Sequence, residues 1–203
     1  MKLPILVISA LTLSAVSAQA QSTIDFQDIP TGSCAVLGPS VTSGGFTFQG
    51  VHDGLYSCLA NLVGNNTSAG LINANSRSVL TMFEQGGAAF SLQSFFAGGR
   101  FENQGFSLAT GIDIVGNVVG GGSVFASVLL DAGPTYDFVQ YLLPTSFANL
   151  SSVTFTAAGT SIPEFIIDDI AVNGVVATPE PATLSLLLLG LPAIAAFRRR
   201  QKA

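Results

Sequence analysis

The sequence predicts an all-β fold, an antiparallel β-sandwich of the jelly-roll type, and three observations support this prediction. The 203-residue chain holds 22 Gly and 15 Phe, and only 9% of its residues are charged. Short segments alternate apolar and polar residues with period two, as strands do when they bury one face. Gly-rich turns separate these segments, and no segment before residue 182 has the 3.6-residue period of a helix.

Nine segments of the chain carry the strand pattern. They are residues 24–26, 46–49, 79–83, 89–96, 106–115, 123–130, 136–142, 152–156 and 165–172. The glycine pairs at 44–45, 86–87 and 98–99 and the glycine triplet at 120–122 are predicted turns. Many short strands joined by such turns fold as two packed antiparallel sheets, which predicts the sandwich.

The N-terminus has the three parts of a secretory signal peptide. Lys2 gives a positive start, residues 3–16 are apolar, and Ala18 and Ala20 place small residues at a cleavage site. We predict cleavage by signal peptidase after Ala20, so that the mature chain begins at Gln21. An uncleaved anchor is the alternative, but the apolar stretch is short for a membrane span.

A three-part tail ends the sequence. Its parts, in order, are the triplet Pro179, Glu180 and Pro181, the apolar run 182–197, and the basic residues Arg198, Arg199 and Arg200. The apolar run predicts a transmembrane helix of about 24 Å, and snorkelling arginines let such a helix span a bilayer core of about 30 Å. Because basic flanks stay in the cytoplasm, both ends of the sequence place the middle on the far side of the membrane.

This tail resembles the PEP-CTERM sorting signal of Gram-negative bacteria. The resemblance covers residues 178–203 and divides the chain into a signal peptide (1–20), an extracytoplasmic β-sandwich domain (21–177) and a sorting tail. It implies an exosortase-type processing enzyme and only transient membrane insertion. The protein is then expected first at the inner membrane and afterwards in the cell envelope or outside the cell, beside exopolysaccharide and biofilm. A permanent single-span anchor is the alternative.

The middle of the chain is similar to the β-sandwich domain common in proteins with this tail, and loosely to carbohydrate-binding jelly rolls. The similarity lies in segments 24–30, 45–48 and 165–170. It implies a fold but no particular ligand, because one fold serves many functions.

The extracytoplasmic part is acidic. Residues 21–178 contain eleven Asp and Glu residues, with Arg77 and Arg100 as the only basic ones, for a net charge of −9. Such a domain repels phosphate backbones, which argues against nucleic-acid binding. Acidity is also typical of soluble exported domains and of domains that bind divalent cations.

Cys34 and Cys58 are the only cysteines of the chain. An even pair in an oxidising compartment predicts a disulfide, here closing a loop of about 25 residues. A zinc site needs four ligands, and two cysteines alone do not supply them.

Four carboxylates form the candidate metal site. In jelly rolls the first and last strands often lie close together, so Asp25 or Asp28 is expected to meet Asp168 or Asp169. Calcium prefers carboxylate and carbonyl oxygens, and structural calcium is the one cofactor that the sequence suggests. Solvent-facing strand carboxylates without a metal are the alternative.

A sugar-binding site requires exposed aromatic rings with polar partners, and this chain has no Trp. Tyr56, beside the 52–70 loop, is the best candidate for an exposed ring. Packing of Tyr56 at the rim of the core is the alternative.

No residue set predicts catalysis. His52 is the only histidine, and its position beside Asp53 and Gly54 is typical of a turn. The chain has no G-x-S-x-G elbow, and adjacent carboxylates such as Asp168 and Asp169 face opposite sides of a strand. We therefore predict a non-catalytic envelope or matrix protein, structural or exopolysaccharide-associated. A carbohydrate-binding module is the alternative, and a secreted hydrolase is the third possibility.

Overall fold

Fourteen β-strands make up the part of the chain that the computed structural model describes. That part comprises residues 21–30, 35–51, 54–59, 69–73, 79–99, 107–130, 138–159 and 163–174. The strands are β1 (Gln21–Ile24), β2 (Ala35–Gly38), β3 (Ser40–Ser43), β4 (Phe46–Gly50), β5 (Leu55–Leu59), β6 (Ala69–Asn73), β7 (Val79–Glu84), β8 (Phe90–Gly99), β9 (Ser107–Leu108), β10 (Gly111–Val118), β11 (Ser123–Leu129), β12 (Val139–Leu142), β13 (Leu150–Ala158) and β14 (Pro163–Gly174). The predicted all-β fold is confirmed.

Six strands form the first layer, which we call sheet I, in the order β3-β4-β7-β13-β10-β11. Every neighbouring pair in sheet I is antiparallel. Gly44 and Gly45 turn the chain between β3 and β4 at φ +56° and +80°, and residues 120–122 turn it between β10 and β11 at positive φ throughout. Only glycine adopts these angles without strain, so both turns agree with the sequence prediction.

The second layer, sheet II, has the order β2-β5-β6-β14-β8-β12. The long strand β14 pairs with β8 on one edge. On its other edge it pairs with β6 near Ile166 and with β1 from Ile170 to Asn173. Strand β9 runs parallel to the start of β14. One residue pair, Leu150 with Phe90, joins the two sheets, so the described strands form a nearly closed antiparallel sandwich.

The core between the sheets is rich in phenylalanine. Phe155 of sheet I and Phe95 of sheet II are fully buried, and their rings meet edge to face with centroids 5.3 Å apart. Phe26 and Phe48 make a similar contact at 5.0 Å. Burying each of these rings contributes about 1.5–3 kcal/mol, so aromatic packing holds the two layers together.

The structure corrects two parts of the sequence prediction. Strands β2, β3, β5 and β6 were absent from the nine predicted segments, and the predicted segment 106–115 is divided between β9 and β10. Residues 98–99, predicted to be a turn, instead end strand β8, where Gly98 pairs with Ile166 and Gly99 with Phe165. Pairing with the central strand β14 outweighs the weak local strand preference of glycine.

The described residues include no helix long and apolar enough to cross a membrane. The predicted helix 182–197, the signal peptide 1–20, and the residues Pro179, Glu180, Pro181, Arg198, Arg199 and Arg200 all lie outside the described residues.

Candidate functional site: the outer face of sheet I

The candidate ligand-binding surface is the outer face of sheet I, whose outward residues are exposed or half-buried. Because successive side chains of a strand point to opposite faces, every second residue of its six strands lies on this face. From β11 across to β3 these residues are Ser123, Phe125, Ser127, Leu129, Asp113, Val115, Asn117, Ser152, Thr154, Thr156, Val79, Thr81, Phe83, Thr47, Gln49, Ser40 and Thr42. The face is therefore mostly hydroxyl and amide.

Hydrogen bonds across the strands orient the polar groups at the β11 side of this face. Ser127 Oγ donates to Asp113 Oδ1 at 2.6 Å. Asn117 Nδ2 donates to Ser152 Oγ at 2.9 Å, and Ser123 Oγ donates to Asn117 Oδ1 at 3.2 Å. Cross-strand bonds of this kind restrict side-chain rotamers, so these groups are already positioned before a ligand arrives.

The middle of the face continues this pattern with threonines. The hydroxyls of Thr81 and Thr154 lie 3.2 Å apart on neighbouring strands, and those of Thr42 and Thr47 lie 3.5 Å apart. These threonines are hydroxyl donors and acceptors on a β-branched frame with little rotamer freedom.

Phe125 is the exposed aromatic ring of this face. Its side chain is 72% exposed, and in the strand register it stands opposite Val115, which stands opposite Thr154. Leu129, on the same side of β11, is 83% exposed. An exposed ring beside ordered hydroxyl and amide groups can stack on one face of a sugar while the polar groups bond to its hydroxyls.

Sequence reasoning missed Phe125 because phenylalanine was assigned to the core. The alternation along β11 could have identified it, since Val124, Ala126 and Val128 occupy the half-buried positions and leave residue 125 on the other face. Tyr56, the ring that the sequence favoured, is half-buried and packs against Ile72, Phe138 and Ile166. Its position matches the packing alternative, and a ligand role for Tyr56 stays a prediction.

The structure places the first and last strands side by side, as the metal hypothesis required. Asp28 lies four residues beyond the end of β1 and bonds to the β3–β4 turn. It accepts hydrogen bonds from the Ser43 hydroxyl and from the Gly44 backbone N–H at 2.9 Å, so it braces the β3–β4 hairpin. Burial alone would raise the pKa of Asp28, but these hydrogen bonds outweigh burial and hold its pKa below the usual value.

Asp168 and Asp169 lie at an irregularity of β14, where the register with β8 shifts and Asp169 has φ +44°. Asp168 is fully buried and accepts the backbone N–H of Asp169 at 2.7 Å. Partial burial, followed by the negative charge of Asp25, raises the pKa of Asp169 above its usual value. The structure therefore brings Asp25 and Asp169 together, while Asp28 bonds to the β3–β4 hairpin and Asp168 bonds to the backbone of Asp169.

Within the described residues, no group of three or more His, Cys, Asp or Glu residues could hold a metal ion. Calcium at Asp25 or Asp28 with Asp168 or Asp169 stays a prediction, and a calcium titration that leaves the melting temperature unchanged would contradict it. His52, Asp53 and Cys34 lie outside the described residues, as does the side chain of Cys58. The disulfide also stays a prediction.

A cleft of about 300 Å³ lies at the β8 and β12 end of sheet II. Ser91, Gln93, Thr145 and Asn173 supply its polar lining, and Phe147 lines it too but is only 1% exposed. Because this cleft offers no exposed aromatic ring, it is a weaker candidate for a sugar than the outer face of sheet I.

A family model described as the PEP-CTERM protein-sorting motif matches residues 177–201. The chain therefore carries this motif, as predicted, and the motif implies export and anchoring by the C-terminal region before exosortase cleavage. No curated protein matches the chain.

Solved structures similar to this chain include two family 29 carbohydrate-binding modules. One has 11% identity, covers 77% of this chain and 88% of its own, and has a TM-score of 0.46. The other is a mutant complexed with mannohexaose, with 10% identity, 77% and 92% coverage, and a TM-score of 0.46. Neither likeness identifies a ligand for this chain.

Proposed function

We propose that this chain is a non-catalytic protein of the cell envelope or extracellular matrix, sorted by an exosortase-type enzyme and associated with exopolysaccharide. The sorting motif at residues 177–201 supports the delivery route. The exposure of Phe125 among ordered hydroxyl and amide groups supports the polysaccharide association. The second candidate, a dedicated carbohydrate-binding module, rests on the same face and differs in requiring affinity for one defined glycan.

The net charge of the domain indicates which class of polysaccharide it would bind. Residues 21–178 carry a net charge of −9, and Asp113 is the single carboxylate on the outer face of sheet I. An acidic domain repels an anionic polymer, so the proposed ligand is a neutral polysaccharide. Glycoside hydrolysis needs two carboxylates about 5–10 Å apart, and this face offers one, which supports a non-catalytic role.

Binding is tested with the full-length chain in detergent, on an array of neutral and anionic oligosaccharides and on purified exopolysaccharide from the host. We expect binding to at least one neutral glycan and at least a tenfold loss in Phe125→Ala, about 1.4 kcal/mol. Leu142→Ala is the matched control, because Leu142 is 77% exposed but lies on β12 of sheet II. Failure of the wild-type chain to bind any glycan would reject the polysaccharide association and leave a purely structural role.

Sorting is tested separately by the intact mass of the protein from membrane and medium fractions of its native host. A chain that begins at Gln21 and ends near Pro179–Pro181 supports both predicted cleavages. A mass that includes every residue to Ala203 contradicts exosortase processing and indicates a permanent anchor.

A further inference from the structure

Strand β11 stands at one edge of sheet I, and among the described residues it pairs with β10 alone. Two backbone hydrogen bonds show which residue pairs of β10 and β11 are hydrogen-bonded. Val118 N–H donates to Gly122 C=O at 3.0 Å at the turn, and Leu130 N–H donates to Thr110 C=O at 3.1 Å at the other end. Hydrogen-bonded and non-hydrogen-bonded residue pairs alternate along an antiparallel ladder. These two bonds therefore determine, for each residue of β11, whether its N–H and C=O groups point toward β10 or away from it.

The residues of β11 whose backbone groups bond to β10 are Val124, Ala126 and Val128. Those whose N–H and C=O groups point away from sheet I are Ser123, Phe125, Ser127 and Leu129. The Leu129 C=O accepts the Tyr141 hydroxyl at 2.9 Å, which agrees with this outward direction and still leaves a second lone pair. Phe125 and Ser127 present their N–H and C=O groups at an edge that no other described strand pairs with.

This edge lacks the features by which proteins usually prevent strand addition. The seven residues of β11 include no charged residue and no proline, and the strand carries two side chains, Phe125 and Leu129, that are more than 70% exposed. Natural edge strands are usually short, charged, bulged or interrupted by proline. The rest of the domain is acidic, so an uncharged strand is where two copies can approach with little repulsion.

We propose that β11 is a self-association edge, on which β11 of a second copy of this chain adds in antiparallel orientation. A two-fold axis at Ala126 is the register that pairs all seven residues. Phe125 then stands opposite the partner's Ser127, and these two residues form two backbone hydrogen bonds with each other. This register is consistent with the hydrogen-bond pattern of β11. Ala126 lies on the two-fold axis as a non-hydrogen-bonded pair, and its own backbone groups bond to β10.

The side chains are self-complementary in this register. Leu129 stands opposite the partner's Ser123 and is the diagonal neighbour of the partner's Phe125, about 7–8 Å away and within reach of an aromatic ring. The two Phe125 rings are diagonal neighbours as well. The four exposed apolar side chains therefore form one continuous cluster across the seam. On the opposite face, Val124 stands opposite the partner's Val128, which extends the half-buried apolar row.

The expected association is concentration-dependent. A seam of seven residue pairs buries less than the roughly 1,000 Å² of a stable protein complex, so the free chain is expected to dimerise weakly. This interaction needs no glycan and goes beyond the function proposed above. It would join the outer faces of two sheets I side by side.

The test is sedimentation equilibrium of the full-length chain in detergent over a wide concentration range. Leu129→Lys places a charge beside the seam, and Leu142→Lys is its matched control with similar exposure on β12. We expect the dimer dissociation constant of Leu129→Lys to be at least about tenfold higher than that of the wild type, and that of Leu142→Lys to equal the wild type. The transmembrane tail is common to all three chains, so association through the tail cannot produce this difference.

A second pair of variants addresses the backbone directly. Ser127→Pro removes one outward N–H without touching the ladder to β10, and Ser127→Ala removes the hydroxyl but keeps that N–H. We expect Ser127→Pro to abolish dimerisation and Ser127→Ala to retain it, with circular dichroism reporting that each remains folded. A monomeric wild type at every concentration, or equal dimerisation in Leu129→Lys and the wild type, would overturn the proposal.

Discussion

Sheet I and sheet II differ in how they use their outer faces. The central strand of sheet II, β14, is buried on both sides: Phe165 and Ile167 face the main core, while Ile166 lies in a second apolar cluster with Ile72 and Phe138. In sheet I the inner positions are buried in β13 and half-buried in β11, and the outer positions carry ordered hydroxyls and one exposed ring. A sheet covered on both sides is suited to stability, whereas a sheet with one bare face can hold a ligand.

The largest expected effect is on the free energy of unfolding, and it compares two phenylalanines on opposite faces of sheet I. Phe155→Ala removes a fully buried ring that contacts Phe95 across the core, and it should lower the free energy of unfolding by about 3–5 kcal/mol. Phe125→Ala removes an exposed ring and should change that energy by less than about 0.5 kcal/mol. Urea unfolding measures both. Comparable losses in the two variants would mean that Phe125 is covered and that the outer face is no binding surface.

The second prediction concerns the edge of sheet II formed by β2 and β5. Ala35 pairs with Ser57, and these residues are the sequence neighbours of Cys34 and Cys58. Directly opposite residues in an antiparallel pair have Cα atoms about 4.5–5.5 Å apart, within the range of a disulfide. The exported protein should be two hydrogens lighter than the reduced chain, and reduction should cost about 3 kcal/mol of stability.

Intact mass with and without a reductant checks this disulfide, and Cys34→Ser with Cys58→Ser is the matched double variant. Reductant should lower the melting temperature of the wild type and leave that of the double variant unchanged. Two alkylatable thiols in protein taken directly from the host would contradict the disulfide.

The third prediction concerns Asp28, which braces a hairpin of sheet I. Because its folded pKa lies below 3.8, ionised Asp28 stabilises the protein above pH 3.8, and this contribution is lost as the pH falls through the lowered pKa. Asp28→Ala should cost about 1 kcal/mol at neutral pH, through its bonds to Ser43 and Gly44. The difference in melting temperature from the wild type should shrink as the pH falls through the lowered pKa of Asp28, whereas a constant difference at all pH values would contradict a charge effect.

The smallest expected effect has the opposite sign and lies in sheet II. The raised pKa of Asp169 means that its ionised form destabilises the folded state. The contribution of Asp169 to stability therefore falls as the pH rises through the raised pKa, and acidification restores it. Asp169→Asn should raise the melting temperature at pH 7 by about 2 °C or less, since the side chain is partly exposed. Asparagine also tolerates φ +44°.

The gain from Asp169→Asn should vanish below pH 3.8, where the wild-type side chain is protonated in both states. Asp25→Asn, directly after β1, is the matched variant, because it removes the neighbouring negative charge and should produce part of the same gain. A stabilising effect of Asp169→Asn that is unchanged in acid would assign the gain to the backbone instead of the charge.

The sequence determined the features that depend on local pattern. Alternation predicted eight of the later strands but only the last residue of β1. The glycines at 44–45 and 120–122 predicted two hairpins, because positive φ is a local requirement. The sorting motif was also readable, since its three parts follow one another along the chain.

Only the tertiary structure decided which residues share a surface. Gly98 and Gly99 became strand because β14 pairs with them, and Asp28 accepts hydrogen bonds from Ser43 and Gly44, fifteen and sixteen residues away in the chain. Alternation separates Phe125 from the half-buried residues of β11, but only the fold shows that its side of sheet I is the exposed one. Such contacts join residues far apart in the chain, and period-two alternation assigns a side chain to one of two faces without saying which face the fold covers.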